Sequence, residues 1–393
     1  MLMKAGYDFP WHEGNEFGLL VDGNEIFDAM LACIDAAQAQ ILLEMYLVES
    51  GALMDRFISA WAEAVKRGVD VYLLFDDFGA HDLTVLDRQR IQQAGIGLVM
   101  YNPLRYGELR RNLLRDHRKL MVVDGATAFI GGMGLADAFD VTSNPATYWH
   151  DTAVQVRGPV VADWHTVFQD NWRYWMRQSL PEPGAKYARS DAVQGNGGFD
   201  QAGHLCGGRR FGAAVIQRSF LKRVRTAERH VWMMTAYFAP SRSLLRALKK
   251  AARRGVDVRL VCPGPISDHP AVRYAGHRYY YYLLRAGVRI FEYQPRFLHA
   301  KVLLCDDWTS LGSSNVDSWN LRWNLEANQE IENSRFAARI RELFATDIAA
   351  SEECRLEAWL IRPRYRRLLE WFWSRMARWL DAVTIRLRRH NRK

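Results

Sequence analysis

The chain has 393 residues, 49% hydrophobic and 25% charged; that is ordinary globular usage, which excludes a disordered protein and leaves room for two or three domains. Its formal charge is +9, but residues 362–393 hold eleven Lys or Arg against only Glu370 and Asp381, so the rest of the chain is neutral. Nucleic-acid binders spread positive charge over a binding face; an excess confined to one tail points instead to an anionic surface, with no nucleic-acid partner expected. Five scattered cysteines without a C-x-x-C pair argue against a disulfide framework and a zinc cluster, and fit a reducing compartment.

From the N-terminus, "MLMKAGYDFPWHEGNEF" lacks the apolar run of a signal peptide, and no stretch of about 18 apolar residues predicts a membrane span. A buried strand is predicted in "AQILLEMYLV", 39–48. A helix follows, with Phe57, Ile58, Trp61 and Val65 at helical spacing and Gly68 as its cap. "VDVYLLF" gives a second strand, then a helix ends at Ala94-Gly95 and a third strand begins. Residues 104–119 hold six basic side chains, suited to an anionic head group or to a solvated loop. "HRKLMVVDGATAFIGG", 117–132, reads as a hairpin turning at Asp124-Gly125.

The same order then recurs. "KRGVDVYLLFDD" at 66–77 returns as "RRGVDVRLVCPG" at 253–264, and "QAGIGLVMYNP" at 93–103 as "RAGVRIFEYQP" at 285–295. "HRKLMVVD" at 117–124 returns as "HAKVLLCD" at 299–306, and Tyr46 aligns with Tyr237. The boundaries expected are a first unit over 1–180, a Gly- and Pro-rich linker over 181–210, a second unit over 211–350 and a tail over 351–393. Strands separated by helices imply an α/β fold whose sheets are mixed but mostly parallel and flanked by helices. Two copies of one unit suit packing face to face about a pseudo-twofold axis.

Side chains two apart on a strand share a face, so His117 and Lys119 point together, as do His299 and Lys301. A single H-x-K is commonly a solvated edge; two at equivalent places in a repeat favour catalysis. Facing copies would offer two ammonium groups to neutralise a phosphodiester without a metal. One imidazole would then attack phosphorus while the other moves the proton.

These segments, with "HAKVLLCDDWTSLGSSN" at 299–315, resemble the paired HKD motifs of the phospholipase D superfamily. "YWHDTAVQVRGPVV" and "GSSNVDSWNLRWNLEAN" are similar to bacterial cardiolipin synthases, of the shorter type without an N-terminal transmembrane hairpin. The resemblance covers roughly 15–345 and implies tandem phospholipase-D-like α/β/α units that need no cofactor or metal. It implies His117 as nucleophile, His299 as general acid/base, and Lys119 and Lys301 as phosphate ligands joined by Ser313 and Asn315. Asp124 and Asp306 would hold the motifs together, unless Asp307 replaces Asp306. Asp151 and Glu326 would each orient a histidine, with Asp151 serving His117. Tyr46 and Tyr237 are expected to flank the cleft. Gly134 stands where the first copy should have its asparagine. The implied substrates are phosphatidylglycerol and a second phospholipid or alcohol acceptor.

The tail from Tyr365 to Leu387 projects as an amphipathic helix with one apolar face and a basic opposite side. Arg366, Arg367, Trp373, Arg375, Arg378 and Trp379 are expected to contact an anionic membrane, or the apolar face to dock on the body. The expected location is the cytoplasmic side of a bacterial inner membrane, held peripherally.

Overall fold

The structure, a computed structural model, describes residues 9–180, 201–207, 212–317 and 324–362. Arg366, Arg367, Trp373, Arg375, Arg378 and Trp379 lie outside the described residues.

The first copy supplies β1 (His12–Val21), β2 (Gln40–Met45), β3 (Asp70–Asp76), β4 (Gly97–Tyr101), β5 (Leu120–Val123), β6 (Thr127–Gly131) and β7 (Thr152–Arg157). The second copy supplies β8 (Gln201–Gly207), β9 (His230–Met234), β10 (Phe238–Ala239), β11 (Asp257–Pro263) and β12 (Arg289–Tyr293). It continues with β13 (Val302–Cys305), β14 (Trp308–Gly312), β15 (Val316–Asp317), β16 (Ala327–Glu332) and β17 (Ser351–Cys354). β10 and β15 form a small parallel pair. The other fifteen form one sheet, in the order β4-β3-β2-β5-β6-β7-β1-β8-β16-β14-β13-β9-β11-β12-β17.

Read outward from β1 and β8, the strands of the two copies meet at mirrored positions as far as β4 and β12, with β17 an addition to the second copy. β1 and β8 pair antiparallel, as a twofold axis between them requires. The copies therefore join edge to edge, which face-to-face packing alone does not provide. They also share one apolar core. Trp164 and Phe168 of helix Val161–Met176 belong to the same cluster as Phe336, Ile340 and Phe344 of helix Ser334–Ala349. Phe17 meets Phe336 edge-on with ring centroids 6.2 Å apart. Each copy keeps a second core of its own on the opposite face of its sheet.

The expectation of a mostly parallel sheet is corrected. Only β2–β3, β3–β4 and their copies β9–β11, β11–β12 are parallel in the large sheet. The remaining pairings of the first copy, β2–β5, β5–β6, β6–β7 and β7–β1, are antiparallel. Strands joined through a helix return parallel, whereas a tight turn reverses the chain. The linker boundary moves too. Gln201–Gly207, inside the 181–210 stretch, is a central strand whose partners are β1 and β16. Within the stretch assigned to the tail, β17 closes the sheet edge against β12. Trp359 then packs on His277 and Tyr280, with ring centroids 5.2 and 5.0 Å away.

Local sequence explains the repeated elements. Phe57, Ile58 and Trp61 are all buried on one side of helix Ala52–Lys66. Gly68 and Gly255, with φ of +88° and +92°, turn the chain from equivalent helices into β3 and β11. That left-handed backbone favours glycine.

Candidate active site

The site forms where the two copies exchange backbone bonds. Just before β5, Asp116 bridges in parallel to Leu325; just before β13, Leu298 bridges in parallel to His150. His117 N–H donates to the Leu325 carbonyl at 3.0 Å, and Leu325 N–H to Arg115 at 2.8 Å. The His299 and Ala300 N–H groups donate to the His150 carbonyl at 2.8 and 3.1 Å. Each motif is thereby zipped to the acid-bearing segment of the other copy.

This crossing corrects the assignment of Asp151 to His117. His299 Nδ1 lies 2.6 Å from Asp151 Oδ2, and His117 Nδ1 lies 3.0 Å from Glu326 Oε1. Each acid orients the histidine of the opposite copy. A carboxylate at Nδ1 leaves Nε2 as the reactive nitrogen and fixes the ring.

Lys119 Nζ donates to the His117 carbonyl at 2.6 Å and lies 5.1 Å from the Tyr46 ring centroid. Lys301 Nζ donates to the His299 carbonyl and lies 3.0 and 3.2 Å from the two ring nitrogens of His299. Both lysines are buried. Burial pulls Lys119 down to about 7, with Lys301 nearby adding to the effect, and burial lowers Lys301 as well. Burial, reinforced by Lys301, pushes His299 down to about 4, and burial holds His117 below its ordinary value. Burial alone would raise Asp151, but Lys301 and His299 outweigh it and keep the carboxylate ionised. At neutral pH both imidazoles are neutral, one condition for a nitrogen nucleophile.

Asp124 and Asp306 sit away from this cluster. Both have φ of +53°. Asp124 accepts from the N–H groups of Gln38, Ala39 and Gln40 at 2.8–3.0 Å. Asp306 accepts from Glu228, Arg229 and His230 at 2.8–2.9 Å. Asp306 is thus the equivalent of Asp124, whereas Asp307 pairs with Arg229 at 2.6 Å. The shorter second motif is absorbed in the turn: Val123 pairs with Thr127, but Cys305 pairs with Trp308.

Those anchors also correct the alignment of the two tyrosines. Gln40 and His230 both donate to the motif aspartate, and Val48 and Phe238 pair with the equivalent residues Leu135 and Val316. Leu47 therefore corresponds to Tyr237, and Tyr46 to Ala236. Tyr46 packs on His117 with ring centroids 4.7 Å apart. Tyr237 is one layer further out, donating to Asp268 and facing Phe297 with centroids 6.4 Å apart.

The same offset accounts for Gly134. A Cβ there would come within 2.8 Å of both the Cβ and the carbonyl of Leu47, so no asparagine fits. In the second copy Asn315 is fully buried, and its Oδ1 and Nδ2 have no partner among the described residues. Such groups are costly unless a ligand meets them. Ser313 donates its hydroxyl to Glu326, so in this structure it steadies the acid behind His117.

The sequence reading overlooked an aromatic collar and a buried cation. Phe139, Trp149 and Phe297 surround His299 with centroids 5.2, 5.5 and 5.7 Å from its ring. His150 places Nδ1 2.6 Å from Asp22 and Nε2 3.1 Å from Asp347. Burial opposes its charge, but hydrogen bonds to both carboxylates raise it to about 10. Its position beside Asp151 in "WHDT" was the available signal; partners 128 and 197 residues away were not. The second copy has Leu325 there. Away from the cleft, ligand atoms of His204, Cys206 and Glu330 lie within 4.8 Å of one another. Glu330 already accepts from Ser219 at 2.5 Å and faces His204 Nδ1 at 3.3 Å, so these groups satisfy each other.

The family described as "Cardiolipin synthase, PLD-like domain" matches residues 30–172 and 220–348, one match per copy. Cardiolipin synthase A of Pseudomonas putida (strain W619) is 34% identical over 348 residues, 88% of this chain and 71% of that protein. The protein of that name from Pseudomonas fluorescens (strain SBW25) is 32% identical over 377 residues, 95% of this chain and 76% of its own. The phosphatidylserine synthase of Haemophilus influenzae Rd KW20 superposes with a TM-score of 0.73 at 13% identity, covering 96% of this chain and 97% of that one. A polyphosphate kinase from Porphyromonas gingivalis superposes with a TM-score of 0.54 at 15% identity, covering 83% and 46%. At these identities both structures speak for the fold. With two matched domains and relatives similar over most of its length, the chain belongs to the cardiolipin synthase family of phospholipase-D-like proteins.

Proposed function

We propose that this phosphatidyltransferase opens phosphatidylglycerol and passes its phosphatidyl group to the hydroxyl of a second phospholipid. With phosphatidylglycerol as acceptor, the products are cardiolipin and glycerol. The observation that carries the mechanism is the crossed pair His117–Glu326 and His299–Asp151, set beside two buried lysines.

Lys119, Lys301 and Asn315 bind the non-bridging oxygens of the donor. Burial and Lys301 both disfavour a charge on His299; the phosphate's negative charge opposes the Lys301 part of that effect and so favours uptake of a proton from solvent. Nε2 of His117 attacks phosphorus. The bond to the glycerol oxygen breaks as His299 gives that oxygen its proton, leaving a phosphatidyl-histidine. In the second half, His299 takes the proton of the acceptor hydroxyl. The acceptor oxygen attacks phosphorus, and the P–N bond to His117 breaks. The roles of His117 as nucleophile and His299 as proton carrier follow the order the family resemblance implies. We place the enzyme peripherally on the cytoplasmic side of a bacterial inner membrane. No helix among the described residues is long and apolar enough to cross a membrane.

The test is mass spectrometry of phosphatidylglycerol vesicles incubated with the protein in the absence of added metal. Cardiolipin with glycerol is expected. Phosphatidic acid alone would make the enzyme a hydrolase. Cleavage of single-stranded DNA without lipid turnover would make it a nuclease.

A further inference from the structure

β5 runs antiparallel to β2, while β3 and β4 run parallel to it. His117, just before β5, therefore stands at the sheet edge where β3 and β4 end. The loops that leave those ends, 77–84 and 102–115, lie beside it, and in the second copy loop 264–269 after β11 lies beside His299. Their tips carry large apolar side chains in water: Phe78 is 50% exposed, Leu104 55%, Ile266 50%, and Tyr106 is fully exposed. Exposed apolar residues scattered singly mean little, but these all sit on loops at the histidine end of the sheet.

Printed contacts tie the loops to the cleft. A Cβ on Gly79 would fall 2.2 Å from the Tyr46 carbonyl, and the Tyr46 ring packs on His117. Arg115, two residues before His117, lies 5.8 Å from the Phe78 ring centroid. Leu104 N–H donates to Asp77 at 3.3 Å, joining the two loops. On the opposite side, Asp268 accepts from Tyr237. Of the four arginines in residues 102–115, Arg115 is buried against Asp76; the other three, against one glutamate, still leave a net positive segment, the charge that complements an anionic surface. In the second copy β12 ends at Tyr293, and His299 follows almost at once, so this basic loop exists on one side only.

We propose that the mouth of the cleft is itself the membrane-docking face, with Phe78, Leu104, Tyr106 and Ile266 entering an anionic bilayer around the opening. The inference rests on the phosphatidyl-transfer reading: a lipid with two acyl chains reaches a buried phosphate site most directly when that mouth meets the bilayer.

The full chain and its Leu104→Glu/Tyr106→Glu variant would be compared by sedimentation with phosphatidylglycerol vesicles. The variant is expected to need at least about tenfold more lipid for half-binding. Its KM for vesicular lipid should rise in parallel, with turnover of dissolved dihexanoyl-phosphatidylglycerol unchanged. The tail is common to both proteins, so the difference isolates the loops. Equal vesicle binding would overturn the proposal. So would lost turnover on the dissolved lipid, which would make the loops part of the cleft wall; Leu104→Gln, a milder change, should then fail in the same way. If the wild type turns over neither lipid, the transfer reading fails, and the sedimentation comparison still decides the docking.

Discussion

Asp151 stands 2.6 Å from the imidazole of His299, although the two are 148 positions apart in the chain. His117, in Asp151's own copy, is served by Glu326 instead. Neither copy pairs its motif histidine with a carboxylate of its own. The candidate site is thus built by the duplicated chain, not by either motif alone.

The crossing makes a kinetic prediction. Asp151→Asn should behave like His299→Ala, and Glu326→Gln like His117→Ala, each slowing turnover by about 10²- to 10⁴-fold. A donor lipid carrying a p-nitrophenyl leaving group needs no proton to depart. With it, the first pair should still form the phosphatidyl-histidine, trappable by a denaturing quench at neutral to mildly alkaline pH where the acid-labile P–N bond survives, while the second pair should not. The reverse grouping would mean that each acid serves the histidine of its own copy after all.

Lys119 should set the alkaline limit. Burial and Lys301 hold it at about 7, and only its ammonium form offsets a phosphate charge. Donor binding is therefore full below pH 7 and weakens as pH rises above it. KM for phosphatidylglycerol should climb by about tenfold per pH unit there. Lys119→Arg, charged throughout, should flatten that climb. A wild-type KM constant from pH 7 to 9 would contradict the assignment.

His150 should be a charged clamp between the copies. Its value in the folded protein, about 10, is above the ordinary histidine value near 6.5. The stability it contributes is thus complete below pH 6.5 and is lost as pH rises through 10. His150→Leu, which copies the residue at Leu325, leaves Asp347 buried without its cation. The expected cost near pH 6 is about 3–5 kcal/mol, shrinking toward pH 10. Urea unfolding of both proteins at pH 6, 8 and 10 measures this; a cost independent of pH would remove the charge from the explanation.

Asp306 and Asp307 should separate cleanly. Asp306→Asn weakens three charge-assisted bonds to backbone N–H groups and should cost about 2 kcal/mol, given its partial exposure. Asp307→Asn removes largely exposed ion pairs to Arg229 and Arg341 and should destabilise far less. Neither touches the cleft, so kcat per folded molecule should hold in both. Thermal unfolding alongside an activity titration checks the pair, and equal destabilisation by the two would undo the assignment of Asp306.

The repeat, the helix-linked strands and the motif hairpins were legible in the sequence, as were the two histidines, two lysines and two acids that the fold gathers together. These are local properties. Alternation and helical spacing report which face of an element is apolar, and a short motif keeps its residues together on one turn or strand. Gly68 and Gly255 mark equivalent helix ends for the same reason.

How the copies meet emerges only in the folded chain. It sent Asp151 to His299, found partners for His150 in Asp22 and Asp347, and made a strand of 201–207 within a Gly-rich stretch. It also separated Tyr46 from Tyr237 by a one-residue shift, which side-by-side alignment conceals. The cause is the same each time. Two parallel bridges, Asp116 with Leu325 and His150 with Leu298, carry each motif across to the other copy. Pairing between distant segments is set by the backbone bonds and packing of the whole fold, and no local pattern in either segment records it.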